Sequence, residues 1–202
     1  LFLGDSNSVT AAMALKKEGY KIGHIEAGMR SGDKRMLEEI NRTVCDHCSD
    51  YHFVYHEDYK YNLVRENLPS DNIYVVGNTI VEVCNRLKAD VISKPKTNDF
   101  ILMDIHRPEN FRYRGRLENI MRFANHCGQL MGVPVKFLKF HRTMMELQEC
   151  VYDTKHIEFI DLMSYKDFLR AQYNALFMIS DSGTAQEEPA LLNTPVIVPR
   201  DY

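Results

Sequence analysis

Nine short, continuously apolar runs set the strongest limit on what this chain can fold into. They are "LFLGD", "KIGHIE", "YHFVY", "IYVVG", "FILMDIH", "VKFLKF", "IEFID", "LFMISD" and "VIVP". A strand with one wet face alternates apolar and polar residues. These runs do not, which suits parallel strands covered by helices on both sides. Between most of them lie amphipathic stretches of helical period, such as "NSVTAAMALKKEG", "LEEINRTVCDHCSD" and "LENIMRFANHCGQLMG". Alternation of this kind predicts an α/β fold with right-handed crossovers. One polar, proline-bearing stretch, "ISKPKTND" at 92–99, breaks the pattern, with four strand runs before it and five after. The reading is of two Rossmann-like domains: residues 1–91 form the later part of the first, 92–99 a linker, and 100–202 most of the second. The chain opens on Leu rather than Met, so a piece of a longer polypeptide is expected, with both domains incomplete.

Composition narrows the function classes. The formal net charge is −3 over 202 residues, which supplies no basic field for nucleic acid. No apolar run is long enough to span a bilayer. Five cysteines, an odd number, are scattered along the chain, which argues against a secreted disulfide framework and for a reducing cytoplasm. Cys45 and Cys48 flank His47, but a zinc site needs a second ligand pair and none follows. The same run reads as helix, where positions three apart share a face, so no metal is expected.

In an open parallel sheet, ligands bind outside the carboxyl ends of the strands. The residues there are ionisable in both halves. Asp5 ends the first run and Glu26 the second, with His24 two residues earlier. Gly77, Asn78 and Thr79 follow the fourth. His106 ends the fifth, followed by Arg107 and Glu109, and His141 follows the sixth. Asp181 ends the eighth, followed by Ser182 and Gly183. Each alone is also explained as a cap, since Asp and Ser are favoured before helices. The repetition is what points to a site. In "SDSGTAQEEPALLN", Ser182 and Gly183 are expected to open a helix whose free N–H groups suit a phosphate. Glu187 and Glu188, one turn on, suit the two hydroxyls of a ribose. The competing reading is a capped helix with acids at its positive end.

The motifs "GDSNS", "GHIEAG", "EEINR", "VVGNT", "DIHRPENF" and "SDSGTAQEE" occur in this order in the non-hydrolysing UDP-N-acetylglucosamine 2-epimerases, which the chain resembles along its whole length. The hydrolysing epimerases resemble "IEGG" where this chain has Ile25-Glu26-Ala27-Gly28. The resemblance implies a GT-B fold of two Rossmann-like domains with the active site in the cleft between them. It also implies a cytoplasmic homodimer that uses neither metal nor nicotinamide and takes a UDP-sugar. It puts Asp5, Glu26, Glu38 and His106 on catalytic positions, and Ser182, Gly183 and Glu188 on UDP-binding positions. Arg107, His141 and Asn78 become candidate substrate contacts. Glu39 is expected to face solvent or to pair with Arg42 or Arg35, and Asn41 and Arg42 to orient the helix that carries Glu38.

Three departures accompany the resemblance. The family's N-terminal Gly-Thr-Arg-Pro-Glu loop is not in the sequence, and the chain stops before another basic UDP contact. The loop "MRSGDKRML" is short and lacks the usual aromatic and proline residues, as in relatives acting on modified UDP-N-acetyl sugars. The implied reaction is inversion at C2 of UDP-N-acetylglucosamine by elimination and re-addition of UDP. The alternatives are 2-epimerisation of a modified UDP-N-acetyl sugar, a hydrolysing epimerase, a GT-B glycosyltransferase, and a UDP-sugar-binding fragment without activity.

Overall fold

The computed structural model describes residues 1–183, 185 and 187–200. Among these, nine strands form two sheets in which every pairing is parallel. Compactness divides the chain into two units, the first running from Leu1 to Thr79 and the second starting at Ile80.

In the first unit the strands are β1 (Phe2–Leu3), β2 (Gly23–Ile25), β3 (Tyr51–Val54) and β4 (Ile73–Val75), adjacent in that order. The crossovers run through a 3-10 turn (Asn7–Ala11) leading into α1 (Ala12–Lys17), then α2 (Leu37–Cys48), then α3 (Glu57–Arg65). One apolar cluster joins Val9, Ala12, Ile22 and Cys45. A second joins Ala27, Val54, Leu63 and Ile73.

The second unit contains β5 (Ile101–Asp104), β6 (Val135–Leu138), β7 (Ile157–Ile160), β8 (Met178–Ser180) and β9 (Val196–Ile197). Their order is β7-β6-β5-β8-β9. The winding therefore reverses between β5 and β8, and at such a reversal the loops leaving two neighbouring strands part and open a crevice. The helices are α4 (Thr79–Val91), α5 (Pro108–Phe111), α6 (Arg114–Met131), α7 (His141–Leu147), α8 (Tyr165–Asn174) and α9 (Glu188–Leu191). Strand β5 is buried throughout, and its side chains go alternately to two layers. Ile101 and Met103 join Leu117, Met121 and Ala124 of α6. Leu102 joins Met178 with Phe168 and Ala171 of α8. Continuous apolarity in the sequence has this cause: both faces of the strand are covered. Among the described residues, no helix is long and apolar enough to cross a membrane.

The two-sheet α/β reading and all nine strand positions hold. Two short helices, α5 and α7, are additional to the sequence reading. The unit boundary also lies earlier than the 92–99 linker. Cys84 and Val91 of α4 bury against Leu169 of α8 and Leu192, so α4 packs with the second unit even though it precedes the polar stretch.

Gly28 shows how tightly the first unit closes behind β2. Its φ is +75°, and a Cβ there would come 2.3 Å from the Tyr59 carbonyl oxygen of α3. Neither the left-handed backbone nor the rigid neighbour can yield cheaply. Gly28→Ala is therefore expected to destabilise the protein by about 2–4 kcal/mol, read as a lowered denaturation midpoint. An unchanged midpoint would contradict this packing.

Candidate active site

The first unit gathers its acids around one guanidinium. Asp5 lies two residues past β1 and Glu26 directly past β2, so adjacent parallel strands deliver both carboxylates to the same sheet edge. Arg42, in the middle of α2, is 8% exposed. Its Nη2 donates to Asp5 Oδ2 and, at 2.8 Å, to Glu26 Oε1. Asn41 Nδ2 donates to the Asp5 carbonyl at 3.0 Å. Both carboxylates keep about a quarter of their side-chain surface open, 27% for Asp5 and 25% for Glu26, so they are accessible to a ligand. Burial pushes the Glu26 pKa above the usual glutamate value. Arg42 opposes this shift, and the Asp5 charge adds to it. Glu26 also stands at φ +72°, an uncommon backbone for a non-glycine residue and of the kind held at functional sites.

Glu38 is half-buried in the first turn of α2, four residues before Arg42 and therefore on the same helix face. Glu39 does not face solvent or pair with arginine as expected. It is 7% exposed and accepts from the Ser31 amide at 2.8 Å, the Ser31 hydroxyl at 3.1 Å and the Gly32 amide at 3.2 Å. The short loop between β2 and α2 supplies donors that solvent would otherwise satisfy. Arg42 is likewise more than an orienting residue for the helix, because it binds the strand-end acids directly.

In the second unit the loops parting from β5 and β8 are tied by Asp181. This carboxylate is fully buried. Its Oδ1 accepts the His106 amide at 3.0 Å, and its Oδ2 accepts the Arg107 amide at 3.0 Å and Asn110 Nδ2 at 2.8 Å. Arg116 Nε donates to Asn110 Oδ1 at 2.5 Å, fixing the amide's orientation. His106 is half-buried, with Nδ1 2.7 Å from Asp104 Oδ1 and its ring 4.9 Å from that of Phe140. Burial alone would lower the His106 pKa. The Asp104 hydrogen bond and charge outweigh it, and the net shift is upward.

Asp104, His106 and Asp181 offer ligand atoms within 4.8 Å of one another, the described group whose spacing suits a metal. Its chemistry does not. Three N–H donors point at the Asp181 oxygens, and His106 Nδ1 is engaged by Asp104. The cluster's hydrogen bonds account for its residues without a cation.

One expectation for the "SDSG" segment needs correction. Ala185 lies in a 3-10 turn, its amide donating to the Ser182 carbonyl at 3.3 Å, and α9 follows from Glu188. The Ser182 amide, however, is not free for a phosphate, because it donates to Ser180 Oγ at 3.2 Å. Thr184 and Gln186 of that segment lie outside the described residues. The cation near this loop is Arg107, whose Nη2 would lie 3.5 Å from a Cβ on Gly183. The bare Gly183 backbone thus leaves room beside a guanidinium, which the sequence pattern did not anticipate. Glu188 is 3% exposed. It accepts Tyr165 Oη at 2.9 Å and Gln172 Nε2 at 2.6 Å, and burial raises its pKa. His141 is exposed at the start of α7, next to Phe140, and Asn78 is half-buried after β4. Cys45 and Cys48 are free thiols, the first buried and the second half-buried.

Comparison with known proteins follows the same lines. A sequence model of the family described as UDP-N-acetylglucosamine 2-epimerase matches residues 1–202. The UDP-N-acetylglucosamine 2-epimerase of Methanocaldococcus jannaschii is 36% identical over 214 residues, covering 98% of this chain and 58% of the relative. The enzyme of that name from Escherichia coli K12 is 29% identical, covering 98% of this chain and 57% of the relative. The crystal structure of the M. jannaschii enzyme in complex with UDP-GlcNAc and UDP aligns with a TM-score of 0.85 at 35% identity, over 98% of this chain and 59% of that one. The two parallel sheets flanked by helices match these GT-B structures. The chain spans less than three fifths of the length of these relatives.

Removing the Asp181 carboxylate leaves buried donors without an acceptor, a change worth about 3–5 kcal/mol. Asp181→Ala is expected to lower stability by that order and to speed hydrogen exchange at the His106 and Arg107 amides. Undiminished protection at both amides would show that Asp181 does not hold this turn.

Proposed function

The chain belongs to the UDP-N-acetylglucosamine 2-epimerase family, and on that premise we propose that the whole protein inverts C2 of UDP-N-acetylglucosamine to give UDP-N-acetylmannosamine. The observation that carries the reading is the convergence of Asp5 and Glu26 on Arg42. These are partly open carboxylates from adjacent strand ends, backed by one cation.

The chemistry explains why such a set is needed. The C2 proton of an N-acetyl hexosamine is not acidic enough for a side chain simply to remove it. Breaking the C1–O bond to UDP builds positive character at C1 and loosens that proton. Loss of UDP from C1 and of the proton from C2 leaves a C1–C2 double bond, a 2-acetamido glycal. UDP oxygen then re-forms the bond to C1, and a proton returns to C2 from the opposite face. Two faces require acid and base groups on two sides, and the departing diphosphate requires donors or cations. Asp5, Glu26 and Glu38 are assigned to proton transfer. Burial pushes Glu26 toward its protonated form, which suits it to hold a proton.

The UDP moiety is assigned to the second unit. His106 and Arg107, held by Asp181, offer an imidazole biased toward its cation and a guanidinium for the diphosphate. Gly183 borders Arg107, with Ser182 before it in the chain, and Glu188 is the ribose candidate. There Tyr165 and Gln172 already occupy one acceptor site on each oxygen, so a ribose would have to share or displace them. His141 and Asn78 are assigned as further substrate contacts. No metal or redox cofactor enters the scheme. The five thiols, all unpaired, favour the cytoplasm, and a homodimer that binds no nucleic acid is the assembly proposed.

Proton NMR of the full-length protein with UDP-N-acetylglucosamine in D2O tests the proposal. Deuterium at C2 and accumulating UDP-N-acetylmannosamine are the expected result. Free N-acetylmannosamine would indicate the hydrolysing reaction instead. No exchange would turn attention to modified UDP-N-acetyl sugars, in keeping with the short loop from Met29 to Leu37. Glu26→Gln is expected to reduce turnover by at least about 10²-fold while UDP affinity stays within a factor of two or so. Full activity in this variant would remove Glu26 from the mechanism.

A further inference from the structure

His24 is fully buried beneath the Asp5–Glu26 pair, and the mechanism above makes no use of it. Its Nδ1 lies 2.6 Å from Asp46 Oδ1 and its Nε2 lies 2.8 Å from the Gly4 carbonyl oxygen. A carbonyl oxygen only accepts, and so does a carboxylate, so each ring nitrogen must bring its own proton. The alternative puts the shared proton on Asp46 and leaves the ring neutral. Asp46 Oδ2 argues against that, since it accepts from the Gly28 amide at 3.1 Å and from Arg30 Nη2 at 2.8 Å. Both bonds favour the carboxylate. Arg30 is matched in turn by Glu66 at 2.7 and 2.8 Å, so two cations and two anions balance.

The position of this ring matters more than its charge. Gly4, whose carbonyl it grips, immediately precedes Asp5. Glu26 follows His24 by two residues. Both Gly4 and Glu26 stand at φ +72°, a backbone that glycine adopts freely but that Glu26 keeps only where its surroundings over-determine it. A Cβ on Gly4 would sit 3.4 Å from Glu26 Oε2, so a small slide of β1 against β2 changes how the two carboxylates face each other. We propose that His24 is a positioning residue for epimerisation: a doubly protonated imidazolium, clamped by Asp46 of α2, that holds the Gly4 carbonyl and so fixes Asp5 opposite Glu26. The inference rests on the roles given above to Asp5 and Glu26.

The groups facing the ring agree with a permanent charge. Asp46 and the Cys45 thiol approach from α2. On β3, His52 pairs in register with His24 and places its Nε2 2.8 Å from the Asp46 carbonyl oxygen. Asp5 and Glu26 lie beyond Gly4. Burial alone would lower the His24 pKa, but the Asp46 hydrogen bond and charge, with a smaller contribution from Cys45, raise it to about 10. In return the imidazolium draws the Glu26 pKa down.

Imidazole nitrogen-15 NMR of the full-length protein decides the first part without any variant. Both His24 nitrogens are expected to stay protonated past about pH 8, where an ordinary imidazole is neutral. One deprotonated nitrogen at that pH overturns the proposal. Two variants decide the second part. In His24→Gln the amide can still reach the Gly4 carbonyl, whereas in His24→Asn it reaches only Asp46. The asparagine variant is expected to lose roughly 10²-fold in kcat at unchanged UDP affinity, with the glutamine variant recovering part of that loss. Carbon-13 titration should show the Glu26 carboxyl pKa rising in both. Folded variants with wild-type kcat, an unmoved Glu26 titration, or parallel losses of kcat and UDP affinity would each reject a positioning role. If the wild-type protein does not exchange the C2 proton, the proposed function fails, and the His24 spectrum and Glu26 titration still decide the inference.

Discussion

A carboxylate at the end of a buried parallel strand must find donors, because an unmatched one costs several kcal/mol. The two units meet this constraint differently, and the difference separates chemistry from scaffolding. Asp181 is satisfied by two backbone amides and a side-chain amide and has no exposed surface. Its oxygens are spent on shaping the turn that presents His106 and Arg107. Asp5 and Glu26 are satisfied mainly by one shared guanidinium and remain partly open. Read as sequence, Asp5 and Asp181 are equivalent acids following apolar runs. The identity of their donors makes one a tie and leaves the other free to act on a ligand.

The fold was legible because its signal is local. A strand covered on both faces is written as a continuous apolar run, and each of the nine runs became a strand. The misses are elements whose signal is weak or distant. Helix α5 spans four residues, too short for periodicity, although Pro108 at its first turn marks a start. Helix α7 lies in "HRTMMEL", a seven-residue stretch that gives periodicity little room. The compact first unit ends at Thr79, before the polar stretch, because composition shows where a polar stretch lies and not what α4 packs against. Only the three-dimensional meeting of Cys84 and Val91 with Leu169 and Leu192 reveals that.

In the site, strand-end residues were legible and their partners were not. An acid three residues before an arginine on a helix suggests a local pair, so Glu39 and Arg42 invite each other on spacing alone. The structure sends Arg42 to two acids 37 and 16 residues away. Glu39 buries itself against the amides of a loop whose donors the sequence does not advertise. At "SDSG", the glycine and serine suggested free amides for a phosphate, whereas the Ser182 amide is taken by Ser180 Oγ and a nearby cation, Arg107, comes from the β5 loop. Spacing along one element predicts neighbours on that element. Contacts made across a sheet edge depend on the topology.

The sharing of Arg42 has a chemical consequence. A single nitrogen, Nη2, donates to both Asp5 and Glu26, so the two carboxylates share one cation. A proton arriving on Glu26 weakens its claim on Arg42 and leaves the guanidinium more fully to Asp5. A proton leaving Glu26 reverses the preference. The proposed epimerisation by elimination and re-addition would ask for such an exchange, since a proton is removed from one face of C2 and delivered to the other. A second arginine given to Glu26 alone would hold it ionised and suppress the trade. One shared arginine, with burial pressing Glu26 toward its neutral form, leaves Glu26 able to take up and release a proton, while in the proposed arrangement His24 sets how the two carboxylates face each other.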